Sequence, residues 1–330
     1  MTIDLPLLCA AVATLAACFY VLLDGFDLGV GGLLLTVRSE DLRSQMMETI
    51  EPTWDANETW LIMVGITLFA AFPGAYGVIL PALYLPLIVM LGALGFRGVS
   101  FEFRGQPGSR IHLWDRAFSW GSTVAALCQG IVVGSALAGI RLENGRFAGS
   151  PVDFLRPYPI FMGIVWLSGY LTLGASWIVF RTSGPLRDIA VRQLRVLIPI
   201  FAVLGVLAVA FSTAAQPGIG ARWGSAGSWL MVLVLGFLVM LYLSHRSLGR
   251  RSDAAPFVYV ALAFLLGLTW LVVIVYPNIV PFRVSLWDAA AKTGSQAIVL
   301  VGVACVMPVV LAYNAYAYYV FRGKVRSHEP

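Results

Sequence analysis

Two short stretches hold the residue types that could do chemistry. Tyr20-Val-Leu-Leu-Asp24-Gly25-Phe-Asp27-Leu-Gly29-Val-Gly-Gly32 sets two carboxylic acids and a run of glycines inside an apolar segment, and Glu51-Pro-Thr-Trp54-Asp55-Ala-Asn-Glu58-Thr-Trp60 opens the next one. Asp24 and Asp27 are three apart and so share one face of a helix, with Gly25, Gly29 and Gly32 recurring beside them. An ionisable group near the middle of a spanning helix costs about 2.5–3.5 kcal/mol on insertion scales, so both acids must turn inward to partners or water. The chemistry on offer is the binding and release of protons. Two plainer readings stand beside it. The acids could serve packing alone through hydrogen bonds to neighbouring helices, and glycines at this spacing let helices approach closely.

The elements that must position these groups are membrane helices. Hydrophobic residues make up 59% of the 330 and charged residues only 12%, against about 25% charged in a soluble domain. Mean hydropathy is +0.84. This composition implies an all-α, multi-spanning membrane protein. Apolar runs of spanning length fall near 5–35, 55–73, 76–100, 115–139, 158–180, 195–215, 226–245, 255–277 and 294–321, about nine helices in one integral domain covering 1–330. Only the Phe72-Pro-Gly-Ala75 turn separates the second run from the third, which predicts a tight hairpin. Most of the 22 Lys and Arg fall in the loops after runs one, three, five and seven and in the C-terminus. Positive-inside logic therefore puts the N-terminus outside and the C-terminus in the cytoplasm. The basic residues form no patch, so the net charge of +5 does not imply a nucleic-acid partner. Cys9, Cys18, Cys128 and Cys305 lie in apolar runs without a C-x-x-C pair and read as small buried hydrophobes. No basic segment precedes the first run, which predicts a retained helix and not a cleaved signal.

In this orientation Asp24 and Asp27 lie in the inner part of the first helix. Asp55 and Glu58 sit where the second helix enters from the same side, and Arg97 and Glu102 where the third leaves. Asp55-Ala-Asn-Glu58 also has the form of a helix N-cap box. Arg97 is expected to pair with the acids if it comes within about 4–6 Å of them. Trp54 and Trp60 suit an interfacial belt, as do Tyr313, Tyr316, Tyr318 and Tyr319 at the end of the last run. Ser100-Phe-Glu102-Phe-Arg104 and His112-Leu-Trp-Asp115-Arg116 read as a solvated charged loop, and Trp287-Asp288 lies in an outer loop with no recognisable site.

Other chemistry is missing. Haem in a membrane bundle takes axial His or Met ligands from inside the helices. His112, His245 and His328 fall in a loop, at a helix end and in the tail. There is no phosphate-binding loop, H-E-x-x-H or nucleophile elbow. The chain offers acids for proton transfer and no metal or redox centre.

Leu23-Asp24-Gly25-Phe26-Asp27-Leu28-Gly29, Trp54-Asp55-Ala56-Asn57-Glu58-Thr59-Trp60 and Leu68-Phe-Ala-Ala-Phe72-Pro73 together resemble subunit II of the cytochrome bd-type quinol oxidases. The likeness continues through Ala82-Leu-Tyr-Leu-Pro86, Phe96-Arg97-Gly98, Tyr276-Pro-Asn278 and the Tyr-rich last helix. His112-Leu-Trp-Asp115 and Phe321-Arg-Gly-Lys-Val325 resemble the cyanide-insensitive branch. Ala56 stands where the family commonly has Gly. The resemblance implies two four-helix bundles with a peripheral ninth helix, in a bacterial inner membrane. It implies a heterodimer with a subunit I that holds two haem b and one haem d or a further haem b, and that oxidises ubiquinol or menaquinol. Membrane lipid or quinone and small single-helix subunits are further partners it allows, and this chain is expected to hold no haem or metal itself. It implies a proton route through Asp55, Asp27 and Asp24, supported by Arg97, Glu58 and Glu102, and an oxygen path near Trp60. Two other readings remain at this stage: a proton-coupled secondary transporter, and a scaffold that only stabilises subunit I.

Overall fold

Residues 4–106, 108–249 and 252–325 are described by a computed structural model of the chain; His328 lies outside them. Proline starts many of the helices, because it lacks the N–H that a first turn leaves unpaired and already has a helical φ. It stands at the first positions of α1 (Leu5–Leu33), α4 (Pro73–Arg104), α6 (Pro157–Arg181), α7 (Gly184–Ala215) and α8 (Pro217–Ser247). The Asp4 carboxylate also caps α1, accepting from the Leu7 N–H at 3.1 Å. The remaining helices are α2 (Glu40–Glu48), α3 (Trp54–Ala71), α5 (Ile111–Ala138), α9 (Ala254–Val275) and α10 (Thr293–Val320).

Eight helices among the described residues, α1 and α4 to α10, are long and apolar enough to cross a membrane. The remaining expected run is α3, whose 18 residues extend about 27 Å and carry Asp55 and Glu58 in the first turns. A single residue, Phe72, joins α3 to α4, which makes the expected tight hairpin. The short helix α2 falls in a stretch that hydropathy treats as loop. Helices α1, α3, α4 and α5 form one four-helix group and α6 to α9 a second, and α10 lies against α1 and α3. The α6 helix belongs to both groups, touching α1 and α5 on one side and α7 and α9 on the other.

Two expectations about the chain ends of the helices need correction. Asp55 is not a helix cap: α3 begins at Trp54, and its first amides already have backbone acceptors in the preceding turn, with Trp54 N–H donating to Ile50 O and Asn57 N–H to Thr53 O. Nor is the Asp115 region simply solvated. Asp115 is buried, and Arg43 of α2 and Arg104 of α4 each reach it at 2.7 Å, with Arg104 also donating to Ser44 Oγ. This clamp fixes α2 beneath the first bundle. At the opposite end the 278–292 loop, which no motif explains, is a brace. Ala291 N–H donates to Ala71 O, and the Trp287 indole N–H donates to the Asp4 carboxylate.

The glycine stripe of α1 packs on α6. A Cβ on Gly29 would lie 1.8 Å from Tyr170 O, and one on Gly174 would lie 2.3 Å from Gly29 C. Neither neighbour is a side chain that could rotate away, so the crossing is backbone on backbone. Gly29→Ala or Gly174→Ala must force the helices apart, at a cost of at least the ~1–3 kcal/mol of ordinary overpacking. We expect either variant to lower the thermal midpoint of the purified protein, with Gly95→Ala, which meets nothing within 4 Å, as the unchanged control.

The segment after α10, as far as Val325, is tied across the more basic end of the bundle. Val325 N–H donates to Arg181 O, Arg181 to Phe321 O, Gln45 to Val325 O, and Asp253 pairs with Arg187 and Lys324. Partial burial alone would raise Asp253, but hydrogen bonds from Arg187 and Lys324 outweigh it and hold the carboxyl below its ordinary value of 3.8. A depressed acid stabilises above its unfolded value, so this tie is present at neutral pH and lost as pH falls below the ordinary carboxylate range. Asp253→Asn should accelerate tryptic cleavage after Lys324 about two- to fivefold, the equivalent of up to ~1 kcal/mol for a partly exposed pair.

Candidate functional site

The two acids of α1 meet one cation. Because they sit three residues apart on the face turned to α3 and α4, a single long side chain can reach both, and Arg97 of α4 does so. Its guanidinium lies 2.6 Å from Asp24 Oδ1 and 3.9 Å from Asp27 Oδ2, and all three side chains are wholly buried. The first contact is a charge-assisted hydrogen bond and the second is an ion pair without one. Asn57 of α3 supplies the missing donor: its amide donates to Asp27 Oδ2 at 2.8 Å and to Leu23 O at 3.3 Å. Its carbonyl oxygen in turn accepts from the Tyr318 hydroxyl of α10 at 2.9 Å. The guanidinium also lies over the Trp54 ring, 5.9 Å from its centre, and Trp54 stacks on Phe101.

A second polar chain runs the other way. Tyr20, one turn before Asp24, faces that acid and accepts from Gln129 Nε2 at 2.6 Å, and the Tyr170 hydroxyl donates to Gln129 Oε1 at 2.7 Å. The network thus touches α1, α3, α4, α5, α6 and α10. Asp27 Oδ1 makes no hydrogen bond among the described residues, whereas the Tyr20 hydroxyl lies against the Asp24 carboxylate.

The other expected residues are placed as follows. Glu58 is half-buried near the trio, whereas Asp55 and Glu102 face outward from this chain. Trp60, read as a belt anchor or as part of an oxygen path, is buried and packs at a tilt of 30° against Phe19 with ring centres 4.6 Å apart. Tyr313, Tyr316 and Tyr319 are exposed and suit a girdle, but Tyr318 turns inward. Sequence reasoning missed the parts played by Asn57, Tyr318, Tyr20 and Gln129. The signal for Asn57 was its place three residues before Trp60, on the buried face of α3.

The described histidines do not point into the bundle core. His112 and His245 are exposed at helix ends, and no cluster of three His, Cys, Asp or Glu could hold a metal ion.

Comparison with known proteins places the chain. The family model described as cytochrome bd terminal oxidase subunit II matches residues 5–321. The chain belongs to that family. It is 29% identical over 329 residues to the Bacillus subtilis (strain 168) cytochrome bd ubiquinol oxidase subunit 2, covering 97% of this chain and 96% of that one. It is 27% identical over 352 residues to the Escherichia coli (strain K12) cytochrome bd-I ubiquinol oxidase subunit 2, covering 94% and 92%. A chain of the bd oxidase structure from Geobacillus thermodenitrificans superposes with a TM-score of 0.79 at 13% identity, over 97% of this chain and 99% of that one, and shows the same fold. The chain is therefore a subunit II of a bd-type quinol oxidase, a multi-pass protein of a bacterial inner membrane, and works with a partner subunit I in a haem-containing complex.

The Arg97 geometry makes a checkable claim about this subunit. Removing the cation leaves two buried acids uncompensated, and breaking a buried pair costs about 3–5 kcal/mol. We expect Arg97→Leu to destabilise the complex, and Arg97→Leu with Asp24→Leu to recover part of the loss. A double-mutant cycle of thermal midpoints measures the coupling.

Proposed function

We propose that this subunit II carries protons to the oxygen-reducing haem of subunit I, and that the Asp24–Arg97–Asp27 trio holds the proton in transit. The observation that carries this is two wholly buried carboxyls sharing one buried guanidinium. With both acids ionised the trio bears a net charge of −1, which a low-dielectric interior strongly disfavours. One bound proton makes it neutral. Asp24 is committed to Arg97 by the short contact, so the exchangeable proton belongs to Asp27, whose Oδ1 is free.

Reduction of oxygen consumes protons, and a buried centre needs ionisable groups leading to it. The end where Arg43, Arg104, Arg181 and Lys324 gather faces the cytoplasm in this reading. Asp55 then stands on the outer face of α3 at that end, where it can pass protons between this subunit and its partner, with Glu58 and Glu102 as nearby acids. Arg97 fixes the charge state, and Trp60 with Phe19 forms an apolar wall suited to oxygen. The haem complement, two haem b and one haem d or a further haem b, and the quinol site belong to subunit I, and the substrate is ubiquinol or menaquinol. Small single-helix subunits and bound lipid complete the assembly.

The test is turnover in the assembled oxidase. Asp27→Asn keeps size and hydrogen bonding to Asn57 while removing the proton. With haem content equal to the wild type, quinol-driven oxygen consumption should fall by at least about tenfold, as for loss of a positioned proton-transfer group. Unchanged turnover in Asp27→Asn and Asp55→Asn would reduce this subunit to a scaffold.

A further inference from the structure

The ninth apolar helix of the sequence, α10, packs at the edge of the bundle, yet it delivers one side chain to the buried site. Tyr318 O–H donates to Asn57 Oδ1 at 2.9 Å, and Asn57 Nδ2 donates to Asp27 Oδ2 at 2.8 Å. We propose that Tyr318 and Asn57 form a gate that closes the more basic end of the site and sets access to Asp27. This deepens the proton-holding reading of Asp27 and rests on it.

The middle residue cannot relay a proton. An amide N–H does not ionise at neutral pH, and the Asn57 carbonyl oxygen is engaged by the phenol. The string Tyr318–Asn57–Asp27 therefore polarises but passes no proton along itself. Asp27 can exchange with water on this side only when the string opens. A carboxyl at position 57 would add a third acid to the trio, and an aliphatic side chain would leave Asp27 Oδ2 without its donor and free the Tyr318 hydroxyl from the site. The carboxamide offers a donor to one and an acceptor to the other without a charge.

Tyr318 is held by contacts on its other side. Its ring meets Trp177 edge-on at 6.3 Å, and the Trp177 indole N–H donates to Thr49 O. Four residues later, Arg181, whose guanidinium lies over the Trp177 ring, donates to Phe321 O at 2.6 Å. Gln45 holds Val325 O and Asp253 pairs with Lys324. The end of α10 and the segment after it are tied to α2, α6 and α9, so α10 cannot withdraw without breaking these contacts. A bond to Asn57 on one side and a tethered helix end on the other give the phenol a defined closed position. Glu58 of α3 lies beside the trio and Arg97 of α4 within it, and neither contacts the Tyr318 hydroxyl, whose polar neighbours are Asn57 and Thr53.

The test reads access directly. Dicyclohexylcarbodiimide, an apolar reagent for protonated carboxyls, is applied to the whole oxidase complex, and labelling of Asp27 is followed by peptide mass spectrometry. One buried hydrogen bond is worth ~0.5–1.5 kcal/mol, so Tyr318→Phe should label about 2- to 13-fold faster than the wild type. Asn57→Ala, which removes both contacts, should label at least as fast. Tyr319→Phe, an exposed neighbour, should match the wild type, and haem content reports assembly in each. Equal rates in the wild type and Tyr318→Phe, absence of label at Asp27 in all of them, or equal acceleration in Tyr319→Phe would overturn the gate. Turnover of Asp27→Asn judges the proton-holding reading separately, because labelling requires a reachable carboxyl and not a working route.

Discussion

One guanidinium in a dry interior organises this subunit. Arg97 cannot be deprotonated there, and its charge has to be met by carboxylates already in place. Asp24 meets it at 2.6 Å and Asp27 stands 3.9 Å away. Both acids come from one face of one helix, so the position of α1 against α4 is fixed by this contact. The excess carboxyl is what distinguishes the site from a structural ion pair: a neutral pair needs one acid, and the second has room for a proton.

Close approach of backbones makes that geometry attainable. The Gly29–Gly174 crossing brings α6 against α1 with no side chains between, which seats Tyr170 over Gly25 and within reach of Gln129. Small residues let dispersion contacts and buried polar bonds hold helices together where lipid offers no hydrophobic drive. The two bundles share α6, and the largest cluster of buried apolar side chains runs from Ala16 to Phe264 across both. The acid site lies at this junction, and any shift of one bundle against the other would move its hydrogen bonds.

The ends of the helices carry a different kind of order. At the more basic end, Asp115 joins α2, α4 and α5 through two arginines, and Asp253 joins α7 to the segment after α10. At the other end, backbone hydrogen bonds and Trp287 hold the 278–292 loop against α1 and the α3–α4 turn. The sequence showed these loops as charged or proline-rich and featureless, because most of their partners are distant in the chain, 60 residues for Arg104 and Ser44 and 283 for Trp287 and Asp4, and no local pattern encodes such pairings.

Composition and periodicity were enough to establish a membrane helix bundle, the hairpin at Phe72, the shared face of Asp24 and Asp27, and the glycine stripe as a packing surface. Those features are local, and the cost of exposing an acid or a backbone group to lipid dictates them whatever the partners are. The motif combination, through its likeness to a family, carried the functional class. Tertiary structure alone decided which side chains meet. It brought Arg97 to the acids, turned Asn57 inward and Asp55 outward from the same helix start, and separated Tyr318 from its three exposed neighbours. Helices α3 and α10 have apolar residues on every side, so periodicity does not mark an inward face. The rotation of each helix is set by the few polar bonds that close only when all the helices are in place.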